Sequence, residues 1–184
     1  MEPQELLDLF LHRQSVREYT REPIPEESLS RCIEAARLAP SACNAQPWKF
    51  VIVKDPDLKN KVADATSGGI LPMNHFTKQA PVIVVMVREK ANISSRIGQT
   101  LKDKDFTLID NGIAAIQFCL QATAEGLGTC IMGWFNEKKI KDLLHIPSHK
   151  RVELIIPIGH PADQTIRPKI RKNTEQISSI DSYK

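Results

Sequence analysis

The sequence predicts an α+β fold, with a central mixed or mostly antiparallel sheet flanked by helices and all 184 residues in one domain. Three observations carry this. Strand-like apolar runs alternate irregularly with helix-periodic stretches, which disfavours a doubly wound parallel sheet. The run Pro81-Val82-Ile83-Val84-Val85-Met86-Val87 is apolar throughout, as suits a central strand buried on both faces. After Asp105, the residues Ile109, Ile113, Ile116, Leu120 and Ala124 recur at helical spacing over about five turns.

The elements follow in order. Leu6, Leu7, Phe10 and Leu11 give a first amphipathic helix over Glu2 to Leu11 that docks by this stripe and ends near His12 or Arg13. Pro23 to Glu27 starts a second, with Leu29, Cys32, Ile33 and Ala36 as its buried stripe, and Pro40 stops it near Leu38. A strand runs from Lys49 to Val53, and Asp55-Pro56-Asp57 opens a helix to about Ala65. Gly68-Gly69 makes Thr66 to Leu71 a flexible connection, and Pro72 to Gln79 reads as a short helix carrying Asn74, His75 and Lys78. Arg88 to Lys104 is polar and aperiodic, as in a mobile loop over a site. Asp105 or Thr107 caps the long helix, whose Gly112, Ala114, Ala115, Ala122 and Ala124 keep it slim enough for another helix to approach closely, so it is expected either at the centre of the protomer or at a subunit interface. Glu125 to Gly128 ends it. Thr129 to Phe135 is strand-like, with Gly133 allowing close approach of a backbone or ligand. Asn136 caps a short helix through Leu144, and Val152 to Ile158 is the last strand.

Composition narrows the function. The net charge is +3, but the 25 cations are interleaved with 22 acids and aromatics are only 5%, so no basic-aromatic stripe for nucleic acid is present. No apolar run reaches the about 20 residues that span a bilayer, and the first residues lack a signal-peptide pattern, so a cytoplasmic protein is expected. Cys32, Cys43, Cys119 and Cys130 show no C-x-x-C or zinc spacing, so free thiols and no metal are expected. G-x-G-x-x-G and P-loop fingerprints are absent, as is a Ser-His-Asp constellation.

Two basic clusters and one loop remain. In an extended segment Arg13, Ser15 and Arg17 share one face, and two guanidiniums flanking a hydroxyl suit an anion; a solvated surface strand carries the same pattern. The second cluster is Arg167-Pro168-Lys169-Ile170-Arg171-Lys172. Between Pro40 and Pro47, Ser41, Asn44 and Gln46 offer a hydroxyl and two amides, which serve either the loop's own backbone or a flat heterocycle.

Arg13-x-Ser15-x-Arg17, Ala39-Pro40-Ser41-x-x-Asn44-x-Gln46-Pro47-Trp48, Gly126-Leu127-Gly128-Thr129, Gly159-x-Pro161 and Lys169-x-Arg171 together, in this order, resemble the FMN-dependent nitroreductase family. The resemblance implies a nitroreductase-like fold and an intertwined homodimer with FMN at the subunit interface, the tail from about 165 to 184 crossing to the partner. It implies that Arg13, Ser15 and Arg17 hold the flavin phosphate, ribityl chain and ring edge, and that Lys169 and Arg171 complete the phosphate clamp. Pro40, Ser41 and Asn44 match the loop that reaches the flavin from the other subunit, and Asn74, with Lys78 a looser match, meets the ring. Arg13 is the candidate cation near the flavin N1 and C2 carbonyl. Backbone N–H groups of Ile131, Met132 and Gly133 are expected to face the ring, and Trp134 and Phe135 either shape the pocket or pack in the core. The implied chemistry is ping-pong: NADH or NADPH passes hydride to flavin N5, and a nitroaromatic, quinone or similar acceptor takes it, so no side chain is assigned as catalytic. Related reactions, dehalogenation or oxidation, fit the same pattern, as does a flavin-binding regulatory or electron-carrying protein.

Overall fold

The computed structural model describes residues 2–67, 73–90 and 104–183. Five helices occur among them: α1 (Pro3–His12), α2 (Glu26–Arg37), α3 (Pro56–Thr66), α4 (Phe106–Ala124) and α5 (Glu137–Leu144). Four strands, β1 (Trp48–Val53), β2 (Val82–Arg88), β3 (Gly128–Thr129) and β4 (Arg151–Gly159), form one sheet in the order β1-β2-β4-β3. Every pairing is antiparallel. A single parallel bridge, Ser15 to Thr129, adds the segment after α1 to the β3 edge.

Local chemistry sets the boundaries. Asp55, Asp105 and Asn136 cap α3, α4 and α5 by accepting from Leu58 N–H, Thr107 N–H and Lys139 N–H. Gly126, at φ +73°, ends α4 in the left-handed region as expected. The strand expected over Thr129 to Phe135 is mostly irregular: only Thr129 lies in β3, and Met132 makes an isolated bridge to Ile155. Pro72 to Gln79 contributes one 3-10 turn, His75–Lys78. The flexible connection expected over 66–71 and the mobile loop expected over 88–104 lie mostly outside the described residues.

β2 is the centre of the sheet, and its unbroken apolar run has a direct cause. Val82, Val84 and Met86 face α2 and α4, in a core with Leu29, Cys32, Ala36, Ala115 and Phe118. Ile83, Val85 and Val87 face the opposite layer, with Val62, Ala63 and Ala65 of α3 and Ile140 of α5. Helices cover both faces, so an antiparallel strand loses the usual polar alternation. Phe50 of β1 stacks on Phe118 of α4, with centroids 6.2 Å apart, and ties the sheet edge to that helix.

The structure decides two helical faces: α4 meets α2 by its slim side as expected, and α1 departs from the expected docking. In α4 the residues that enter the core are Ala114, Ala115, Phe118, Cys119 and Ala122, whereas Ile109 and Ile116 are 54% and 37% exposed. The small residues let α2 approach closely, so the slim face turns inward and the isoleucine face outward. α1 buries no residue, and Leu6, Leu7, Phe10 and Leu11 are all exposed. Its apolar stripe does not dock fully within one protomer.

α2 and α4 are also joined by charge. Arg31 Nε and Nη2 each donate to the Glu125 carboxylate at 2.6 Å, and this bidentate bond holds the Glu125 pKa down to about 2 from the ordinary 4.5. A depressed carboxylate stabilises the fold above its unfolded pKa and loses that contribution as pH falls through the folded value. The stability difference between wild type and Arg31→Met, measured by urea denaturation, should therefore be constant above pH 4.5 and shrink as pH falls towards about 2. A difference independent of pH over that window would refute the assignment.

Candidate functional site

The two basic clusters, far apart in sequence, meet in space. Lys169 Nζ donates to the Arg13 carbonyl at 2.7 Å. Gln14 Nε2 donates to Thr165 O at 2.9 Å, its Oε1 accepts from Arg167 N–H at 3.2 Å, and an Arg167 Nη2–H donates to Ser15 O. This zipper fixes residues 13–17 as an extended strand, with Val16 N–H on Thr129 O at 2.9 Å. Gly128 makes the approach possible: a Cβ there would lie 2.6 Å from Val16 Cγ2, so only glycine lets the strand close on β3.

Cations dominate the electrostatics of the cluster. None of the ion pairs among the described residues includes Arg13, Arg17, Lys169 or Arg171. Partial withdrawal from water, then the fields of Arg13, Arg171 and Arg167, lower the Lys169 pKa. Burial raises the Cys130 thiol pKa, and it is opposed by Arg17, by a hydrogen bond with the Ser15 side chain, and by Arg167 and Arg13. Arg17, Arg167 and Arg13 therefore all lie within electrostatic reach of Cys130. Glu18 and Asp163 line the same hollow as Arg17 and Arg167, and Asp163 lies in the field of Arg167, but the cations outnumber them and form a clamp that suits a phosphate, whose charge near −2 and several acceptor oxygens match guanidinium and ammonium donors. Arg167 belongs to this set although sequence reasoning took only Lys169 and Arg171 from its cluster; the signal was its place in the same basic run.

A second group of expected residues gathers along the open sheet edge beyond β3. Met132 gives its N–H to Ile155 O and accepts Ile155 N–H, both at 2.9 Å. Strand alternation then turns the N–H groups of Ile131 and Gly133 to the opposite side, away from β4. The Met132 N–H itself is engaged with β4. A Cβ built on Gly133 meets nothing within 4 Å, so among the described residues no backbone makes the close approach that glycine was expected to permit. Asn74, in the left-handed region at φ 68°, donates to Thr66 O at 3.2 Å and Trp134 O at 3.4 Å, which places it at the same edge. Trp134 is 67% exposed, so it is not a core residue of the protomer. Lys78 points elsewhere and pairs with Asp64 at 2.6 Å.

The loop from Ala39 to Trp48 stands apart from both groups. Ser41 Oγ accepts from Gln46 N–H at 2.9 Å, and Gln46 Nε2 donates to Asn44 Oδ1 at 3.1 Å, so these side chains order the loop itself. Among the described residues the Ser41 O–H and the Asn44 NH2 donate to nothing, which leaves them for a ligand. Cys43, Asn44 and Gln46 all have positive φ, near 50°, a conformation that persists only under outside restraint. The restraint comes from α4. The buried Asp110 carboxylate accepts from Ala42 N–H at 3.1 and 3.2 Å, and Asn111 Nδ2 donates to Pro47 O at 3.0 Å. Neither was singled out from the sequence, where an adjacent polar pair in an apolar helix was the available signal.

Sheet register separates the loop from the clamp. β1 begins with Trp48 opposite Arg88, at one end of β2, whereas Ile158 and Gly159, which flank β3 and so Ser15, lie at the Val82 end. Seven residues of strand lie between, roughly 20 Å. Asp110→Ala should free the loop: a lost charged hydrogen bond of about 1.5–3 kcal/mol corresponds to about 10- to 150-fold faster hydrogen exchange at the Ala42 amide. Unchanged exchange would exclude Asp110 as the anchor.

The Nitroreductase family profile matches residues 11–73 and 70–160. The chain is similar to the iodotyrosine deiodinase of Thermotoga neapolitana, 30% identical over 189 residues, covering 91% of this chain and 94% of that protein. It is similar to the FMN reductase [NAD(P)H] of Bacillus subtilis, 27% identical over 191 residues, covering 97% of this chain and 74% of that protein. In structure it resembles an FMN-dependent nitroreductase from Clostridium difficile, with a TM-score of 0.79 at 25% identity, covering 96% of this chain and 99% of that one. The family match covers the strand at residues 13–17, the open edge and the loop, while the second basic cluster lies beyond it, and the chain belongs to the Nitroreductase family.

Proposed function

We propose that this chain is an FMN-dependent oxidoreductase that takes electrons from NADH or NADPH and reduces nitroaromatic, quinone or similar electron-poor acceptors. The observation that carries the reading is the clamp of Arg13, Arg17, Lys169 and Arg171, assembled from both ends of the chain and lacking a carboxylate partner among the described residues. Arg17, Lys169 and Arg171 fit the FMN phosphate in charge and in donor type, with Arg13 at the ring end of the cluster. Arg167 holds the Ser15 carbonyl and keeps the first strand in place against the second cluster. Ser15 and Arg13 then face the ribityl chain and the ring edge, with Arg13 as the cation beside the ring. Outward N–H groups of Ile131 and Gly133, with Asn74 behind them, supply polar contacts along the open edge. FMN, when bound, supplies an isoalloxazine that accepts hydride from the nicotinamide and passes it to the acceptor.

The site needs a second copy of the chain. Pro40, Ser41 and Asn44 sit roughly 20 Å along the sheet from the clamp of their own protomer, so they serve the partner's flavin. Three uncovered apolar surfaces support this: Leu6, Leu7, Phe10 and Leu11 on α1, Leu108 and Ile109 on α4, and the tail residues Ile170, Ile177, Ile180 and Tyr183. A homodimer in which the tail crosses to the partner would bury them.

The decisive test is anaerobic. Purified protein should show the absorbance of oxidised flavin, lose it with NADH or NADPH, and recover it when a nitroaromatic or quinone is added. A flavin that donor cannot reduce would leave a binding or carrier role instead. Arg13→Ala and Arg171→Ala should each weaken FMN binding by about 1.5–3 kcal/mol, about 10- to 150-fold. Unaltered affinity in both would remove the clamp assignment, and light scattering that found a flavin-loaded, active monomer would remove the shared site. The similarity to an iodotyrosine deiodinase favours a second reading, reductive dehalogenation. Iodide release from iodotyrosine, compared with nitroaromatic turnover by the same preparation, separates the two.

A further inference from the structure

A cavity of about 560 Å³ lies where β1 ends, α3 begins and β2 starts, and it shares no lining residue with the clamp, the open edge or the loop. Its volume falls in the range of small-molecule sites, about 300–1,000 Å³. Arg21, Lys54, Lys59 and Lys78 line it, and no carboxylate does. Lys59 is the unusual member: it is 7% exposed, and its Nζ donates to the Lys78 carbonyl at 2.7 Å. Burial, then the neighbouring Lys78, lower its pKa. An ammonium has three donors, and a carbonyl satisfies one of them.

The other groups point the same way. Arg21 takes part in no ion pair among the described residues. Lys54 pairs with Glu26 and Lys78 with Asp64, but all four side chains are 43–80% exposed, and exposed pairs exchange readily for a better acceptor. Tyr19 N–H donates to Gln79 Oε1 at 3.1 Å. A backbone N–H can only donate, so this bond fixes the carboxamide oxygen and leaves the Gln79 NH2 as the remaining group. Donors thus dominate the polar lining.

We propose that this cavity is a second anion site, which binds a small phosphate-bearing molecule through Lys59 and Arg21, with Lys54, Lys78 and the Gln79 NH2 completing the shell. Phosphate suits it better than a lone carboxylate, because cations arriving from the turn after Tyr19, from the β1–α3 junction and from the 3-10 turn at His75–Lys78 surround one volume. A tetrahedral group of charge near −2 presents acceptor oxygens in that many directions.

The test is titration calorimetry of the FMN-saturated full chain, in chloride buffer, with inorganic phosphate and separately with glycerol phosphate. One saturable site per chain is expected, weakened at least tenfold by Lys59→Met and by Arg21→Ala, with FMN absorbance and affinity unchanged in both variants. Tighter binding of glycerol phosphate assigns a phosphoester, and tighter binding of inorganic phosphate assigns the free ion; either supports the site. No binding, binding that survives both substitutions, or binding that displaces FMN overturns it. Lys59→Met keeps the aliphatic stem, and if it fails to fold, Arg21→Ala on the exposed turn decides alone. The inference does not rest on the flavin reading: a chain that bound no flavin would still show the site that depends on Lys59 and Arg21.

Discussion

The bond from Lys169 Nζ to the Arg13 carbonyl holds one cation against several others, and the candidate site depends on it. Like charges brought together in partial burial raise the free energy of the protonated state, and the lowered Lys169 pKa records that cost. The fold tolerates it because Gln14, Thr165, Arg167 and Ser15 share the work of holding the two segments together by neutral and charge-assisted bonds. An anion in the clamp reverses the balance. It restores favourable charge pairing and, by mass action, stabilises the folded chain that carries the clamp.

The sheet gives that clamp its position and sets its distance from the loop. Antiparallel register puts Thr129 and the strand at Ser15 at one end of β2 and the loop after α2 at the other. Asp110 and Asn111 on α4 then hold the loop in a strained conformation that Cys43, Asn44 and Gln46 would not keep alone. The loop is thus held about 20 Å along the sheet from the clamp of its own protomer. The apolar faces of α1 and α4, left uncovered by this chain, lie open to outside contact.

Much of this was legible from residues. Asp55, Asp105 and Asn136 act as helix caps where their side chains precede apolar periodicity. The apolar run at Val82 to Val87 marks the central strand, and the prolines at 40 and 47 bracket the loop. What the residues left open shares a cause. Periodicity shows that α4 has an apolar stripe, but α4 is apolar on two sides, and only the close approach of α2 selects the alanine face over the isoleucine face. The same limit misplaces α1: an amphipathic pattern does not say whether the apolar side meets its own chain or another.

The sequence alone determined what acts within a turn or two: where helices begin, which strand is central, which loop is pinned, and that two basic clusters exist. Tertiary structure decided which distant groups meet. Lys169 reaches Arg13 across 156 positions and Asp110 reaches Ala42 across 68, encounters set by strand register and helix packing. Side-chain type fixes what a group can bond, but the partner depends on how the whole sheet is threaded, which no local spacing encodes.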